Sequence, residues 1–140
     1  MNLDELADAD RDRTKLLHSS AVYRDEQIAG FDAVVLMEVI EHIEPSRLPA
    51  LEDSIFAAAA PRSVVVTTPN SEFNRLYPSL AAGTMRHEDH RFEWTRAEFA
   101  GWADALAERH GYDVEYRPVG DESPSAGPAT QMAIFRKASA

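Results

Sequence analysis

Two stretches of this chain are almost continuously apolar: "FDAVVLMEV" (31–39) and "SVVVTTPN" (63–70). Both are short and rich in β-branched residues, and the second is stopped by Pro69 and Asn70. Runs of this kind predict strands buried on both faces. Between them the period changes. Leu48, Leu51, Ile55 and Ala59 recur at helical spacing in "EPSRLPALEDSIFAAAAP", with Pro45 suited to a first turn and Pro61 beyond the end. A second helix is predicted over "TRAEFAGWADALAERHG". There Thr95 and Glu98 make a capping box, Phe99, Trp102, Ala103 and Leu106 share a face, and Gly111 closes the C-terminus. "YDVEYRPVG" alternates like a strand, "DESPSAGP" reads as a turn-rich loop, and "TQMAIFRK" as a last strand. At the other end, residues 1–18 read as a polar, helix-forming segment and "SAVYRD" as a short strand. Residues 71–94 have no clear period, and a loop that long in a compact domain usually has a function.

Strand–helix–strand alternation implies an α/β fold with a mostly parallel sheet, ending here in an antiparallel hairpin. Ligands in such sheets bind beyond the carboxyl ends of the strands. Those ends carry "RDE", "EVIEH" and "TTPN", so the chemistry is expected there.

Composition narrows the classes. The 140 residues suffice for one domain with a core. A net charge of −10 argues against a nonspecific nucleic-acid binder, though not against an enzyme that grips one RNA end through local contacts. With no cysteine there is no disulfide, thiolate metal site or cysteine nucleophile. No apolar run is long enough to span a membrane, and the acidic start resembles neither a signal nor a transit peptide. A cytoplasmic protein is the expectation.

The candidate chemistry begins at "EVIEHIEP". A helix starting near Glu38 would put Glu38, Glu41 and His42 on one face, since i, i+3 and i+4 are neighbours. Two carboxylates and an imidazole suit Mg²⁺, Mn²⁺, Fe²⁺ or Zn²⁺. Glutamates are equally at home in the first turn of any helix, where the dipole favours them, so the spacing alone leaves both readings open. A fourth ligand would have to come from elsewhere. His87 and His90 lie in the long loop that leaves the same sheet edge, whereas His110 reads as a helix-end cation and His18 as incidental.

"RHEDHRFEWTRAEF" is more distinctive. With "GFDAVVLMEVIEHI", "VVVTTPNSEFN" and "GYDVEYRPVG", it closely resembles the small-RNA 3′-terminal ribose 2′-O-methyltransferases, whose bacterial branch works in RNA repair. The resemblance covers roughly residues 19–137, which leaves 1–18 as a polar N-terminal segment and 138–140 as a tail. It implies a class I, Rossmann-like fold dependent on S-adenosylmethionine. It also implies a divalent metal, Mn²⁺ or Mg²⁺, held by Glu38, Glu41, His42 and His90, which are the matching positions and the catalytic set. The cofactor-contacting serine falls on Ser20. The implied substrate is an RNA 3′ end, and the implied partner is a polynucleotide kinase-phosphatase and ligase repair machinery. Arg75, Arg86, Arg91 and Arg96 are candidates for the terminal phosphates, and Phe73, Tyr77 or Phe92 for stacking on a base. Trp94 and Trp102 read as core.

One family element is missing. The six glycines are isolated, and none forms the glycine-rich turn on which such folds bind their cofactor. The chain therefore looks like the C-terminal part of a catalytic domain, with a sheet that exposes an edge or a face. Two alternatives follow. One is a non-catalytic binder of metal and RNA 3′ ends, or a subunit completed by another chain. The other is a small-molecule methyltransferase that uses "EVIEH" without metal.

Overall fold

The structure is a computed structural model that describes residues 28–139. The expected N-terminal helix, the "SAVYRD" strand and Ser20 lie outside the described residues. Four strands form one sheet: β1 (Ala33–Met37), β2 (Ser63–Pro69), β3 (Tyr112–Ser123) and β4 (Gly127–Lys137). Their order is β1-β2-β4-β3. β1 and β2 run parallel, as the intervening helix requires, with Ala33 opposite Ser63 and Met37 opposite Thr67. β3 and β4 form the expected antiparallel hairpin, and β4 inserts against β2. Both hairpin strands run longer than their sequence pattern suggests. They absorb most of "DESPSAGP", and a bulge between Val119 and Glu122 takes up the register shift.

The first helical region is wound in three ways. A 3-10 turn at Pro45–Arg47 leads into α1 (Leu48–Glu52), which continues as a π-helix over Asp53–Ala59. Ala60 ends it in the left-handed region at φ 44°, its amide bonded back to the Ile55 carbonyl at 2.9 Å, and Pro61 stops any continuation. α2 (Arg96–His110) keeps its expected limits. Thr95 Oγ accepts from the Glu98 amide, the Glu98 side chain returns to the Thr95 amide, and Gly111 closes the helix at φ 75°.

Both helical regions pack on the same face of the sheet. Leu48, Leu51, Ile55 and Phe56 from the first, and Phe99, Ala103 and Leu106 from α2, join Leu36, Val64, Val66, Ala133 and Phe135 of the strands in one buried cluster. Phe56 sits edge-on to Phe135 at 4.9 Å and to Tyr112 at 5.3 Å. Trp94 and Trp102 pack partly buried against this cluster, as expected.

The other face corrects the reading of β1. Only Leu36 in it is buried, while Val35 and Met37 are 56% and 66% exposed. Successive strand residues face opposite ways, and among the described residues no helix covers the side on which Val35 and Met37 stand. The continuous apolar run was therefore read correctly as a strand, but the described residues cover it on one face only. No helix among the described residues is long and apolar enough to cross a membrane.

Candidate metal centre

The segment after β1 does not continue as a helix. Glu38 turns the chain at φ 53°, a left-handed conformation that a non-glycine residue adopts at a cost of about 1–3 kcal/mol and that clusters at functional sites. Its amide is held by the Thr67 carbonyl and by Thr67 Oγ1, both at 3.1 Å. A single 3-10 turn, Ile40–His42, follows. The expected helical face of Glu38, Glu41 and His42 is thus corrected to a strand end, a strained residue and one tight turn. The cause is the pull of β2's backbone and hydroxyl on the Glu38 amide.

Side chains still converge there. Thr67 and Thr68, consecutive in β2, point to opposite sides of the strand end. Thr68 Oγ1 donates to Glu41 Oε2 at 3.1 Å, while Thr67 Oγ1 lies 3.5 Å from Glu38 Oε1. Glu41 is fully buried, and among the described residues its second oxygen, Oε1, has no hydrogen-bond partner. A buried, unpaired carboxylate oxygen is costly, and a cation is the usual remedy.

The long loop delivers His90 to this point. The Arg91 amide donates to the Glu41 carbonyl at 2.6 Å, the Ser71 amide donates to the Trp94 carbonyl at 3.0 Å, and Asn70 bridges Trp94 in strand fashion. So anchored, one donor atom each of Glu41, His42 and His90 lie within 4.8 Å of one another. The His42 and His90 rings meet edge to face at 4.8 Å. His87 stays on the exposed rim, its ring 6.4 Å from that of His42.

Glu38, the other expected ligand, is not among the three gathered donors, although its carboxyl interacts with that of Glu41. Its carboxyl is pushed up to about 7, first by desolvation and then by contact with the Glu41 carboxylate, against the opposing pull of Arg86 and His90. The residue is exposed overall, so the desolvation part is discounted for solvent, which leaves the hydrogen bond and the charge of Glu41 as the next causes. A raised carboxyl pKa favours the folded state while the group is protonated. In the metal-free chain that contribution is fully present below about pH 4.5 and is lost as pH rises through about 7. The melting temperature of the wild type minus that of Glu38→Gln is therefore expected to fall between pH 5 and pH 8. A difference that stays flat with pH would remove the carboxylate crowding from this account.

The loop's other polar groups are mostly spent on structure. Arg86 directs Nε to Asn74 Oδ1 at 2.5 Å and Nη2 to the Asn70 and Ala129 carbonyls, both at 2.7 Å. Arg96 forks onto Glu72, and Arg91 pairs with Glu44. Of the four arginines expected near phosphates, Arg75 donates to the Ser125 hydroxyl at 2.7 Å, and it lines an open cleft of roughly 400 Å³ with Ser71, Asn74 and Glu93. Of the aromatics, Phe73 is buried and Phe92 packs on Trp94 at 4.3 Å. Tyr77 is the exposed one, with Arg86 5.1 Å above its ring. Sequence reasoning missed Thr67, Thr68, Asn74 and Glu93. The signal for Glu93 was its place three residues after His90, where a carboxylate can reach a histidine ring.

A solved crystal structure of the methyltransferase domain of a bacterial Hen1 (CtHen1-C) superposes with a TM-score of 0.84. It is 43% identical, over 98% of this chain and 68% of that one. The chain belongs to the small RNA 2′-O-methyltransferase family. The Hen1-type small RNA 2′-O-methyltransferase of Gallus gallus is 41% identical over 96% of the chain. The present chain spans only about a third of that relative, 36% of its length. A Hen1-containing assembly, the Pnkp1/Rnl/Hen1 RNA repair complex, matches at 26% identity and a TM-score of 0.62, over 82% of this chain and 25% of that one. No protein-family model matches the chain. More distant structures at 15% identity, an O-methyltransferase family protein and a SAM-dependent methyltransferase, share the mixed α/β fold.

Proposed function

We propose that this chain supplies the metal-holding part of an S-adenosylmethionine-dependent methyltransferase acting on the 2′-hydroxyl of the 3′-terminal ribose of RNA. The observation that carries the reading is Glu41 Oε1, buried without a partner and gathered with His42 and His90 at the carboxyl ends of β1 and β2. Mixed oxygen and nitrogen donors fit a divalent ion, and the two imidazoles favour Mn²⁺ over Mg²⁺. Glu38, Glu41, His42 and His90 would hold it. When bound, such an ion supplies Lewis acidity that lowers the pKa of a ribose hydroxyl.

The protein's own groups do the positioning. Thr68 fixes one oxygen of Glu41 and leaves the other free for the ion. The Arg91–Glu41 backbone bond keeps His90 over the turn. Arg75, beside the open cleft, is the residue to meet a terminal phosphate, and Tyr77 is the ring to stack on a base. Recognition of the vicinal 2′,3′-diol selects a free RNA end over DNA.

The methyl donor, S-adenosylmethionine, brings an activated methyl group. Its site is not built from the described residues. Ser20 lies outside them, and no glycine-rich turn follows a strand among them. A second reading is an RNA 3′-end binder completed by another chain. A kinase-phosphatase and ligase repair assembly is the proposed setting, by analogy with the solved complex that contains Hen1, and the cytoplasm the proposed location.

The test is transfer of labelled methyl from S-adenosylmethionine to RNA ending in a 2′,3′-diol, against the same RNA with a 2′-deoxy end. Mn²⁺-dependent labelling of the diol end alone is expected. Labelling indifferent to metal or to the 2′-hydroxyl would sink the proposal. Mn²⁺-dependent retention of diol-ended RNA without labelling would select the second reading.

A further inference from the structure

Behind His90 stands a hydrogen-bonded relay that runs back to the sheet. His90 Nδ1 lies 2.5 Å from Glu93 Oε2, and the Glu93 side chain is 2% exposed. The same oxygen accepts the Arg86 backbone amide at 2.8 Å, and Oε1 accepts Asn74 Nδ2 at 2.6 Å. Asn74 cannot turn over, because its Oδ1 is already taken by Arg86 Nε at 2.5 Å. Arg86 is fixed in turn by the Asn70 and Ala129 carbonyls at the ends of β2 and β4. The Arg86 amide and the Asn74 side-chain amide therefore each donate to one oxygen of Glu93. Both of its oxygens must accept, which a carboxylate can do and an amide cannot.

We propose that Glu93 is the positioning residue of the metal centre. It holds the neutral His90 ring with its proton on Nδ1 and so presents Nε2 to the site shared with Glu41 and His42. The proposal rests on the metal reading above and assigns a role to a residue outside its ligand set. A ligating imidazole commonly donates its other N–H to a carboxylate, which fixes the ring and raises its basicity. Glu93 meets that need from a nearly buried position, and Asn74 and Arg86 tie it to the sheet. The relay also gives the long loop a purpose: it is clamped where its histidine must aim. Glu93 and Asn74 further line the 400 Å³ cleft, so the wall of that cleft and the orientation of the metal imidazole are one structure.

In Glu93→Gln, an amide N–H must face either the Asn74 amide or the Arg86 and His90 donors, so one bond of the relay is lost along with the charge. Two measurements on the full chain decide the matter. Calorimetry with Mn²⁺ compares the wild type with Glu93→Gln and His90→Ala, with thermal melts establishing that each is folded. Glu93→Gln is expected to bind about 10–100-fold more weakly than the wild type. A folded Glu93→Gln that binds within twofold of the wild type overturns the positioning role and leaves the metal site standing. A wild type that binds no Mn²⁺ overturns the metal site and this role together. The second measurement is the imidazole ¹⁵N spectrum of the metal-free wild type at alkaline pH, which reads the His90 tautomer and does not depend on the variant folding. A proton on Nδ1 and a bare Nε2 are expected, and a proton on Nε2 overturns the assignment.

Discussion

Glu41→Ala is expected to weaken Mn²⁺ binding by more than about 100-fold, beyond the usual loss from an outer-shell partner. Glu41 is the most deeply buried member of the cluster, and it carries the oxygen with no other partner. Its other oxygen is anchored by Thr68, so the carboxylate is aimed before any ion arrives. Removing it takes away a charge and a preset ligand atom at once. His90→Ala should show a comparable loss, because His90 comes from a different part of the chain and the site closes only when the loop meets the turn. Calorimetric titration of both variants, with melts to show that they fold, is the check. Binding in either variant within tenfold of the wild type would mean that "EVIEH" and "DHRFEW" do not share an ion.

The largest stability effect should come from the core. Phe135→Ala is expected to cost about 3–5 kcal/mol in urea unfolding, the range for truncating a buried aromatic. Phe135 is fully buried, lies edge-on to Phe56 at 4.9 Å and faces Trp102 at 6.4 Å. It sits in β4, the strand that joins the hairpin to β2, so a cavity there loosens both helical regions from the sheet. Truncation at Val35, on the open side of β1, should cost far less, because that side chain is already mostly in water. A Phe135→Ala cost below about 1 kcal/mol would show that the helices are not packed through this ring.

The proposed metal site would also account for a conflict between local preference and local structure. Glu38 occupies backbone space that glycine would take more cheaply, and its carboxyl is crowded by Glu41. Neither feature helps the fold. Both suit a place where two carboxylates must sit side by side for a cation.

How much of this was legible beforehand follows from the kind of signal each element leaves. α2 could be read to its last residue, because Thr95, Glu98 and Gly111 act on the backbone within one turn of themselves. The two apolar runs were strands, and the parallel pairing followed from the helix between them. The hairpin was legible, but its full length was not, since Pro and Gly in "DESPSAGP" carry turn signals that the pairing of β3 with β4 overrides. The helical face expected at Glu38 failed because a pattern of spacings cannot register the hydrogen bonds that Thr67 makes from another strand. Arginines read as free for phosphate were mostly committed, Arg86 most of all, because its partners lie up to 43 positions away in sequence.

The chain's order of residues was enough to determine the elements, the α/β class and the resemblance that named Glu38, Glu41, His42 and His90. Each of these is carried by period, capping or short motif, which act over a few residues. Only the tertiary structure decided which face of β1 is covered and that β4 lies between β2 and β3. It alone revealed that Thr68 anchors Glu41 while Glu93, Asn74 and Arg86 stand behind His90. Those arrangements depend on contacts between segments far apart along the chain, whose free energies are settled only when the whole sheet closes.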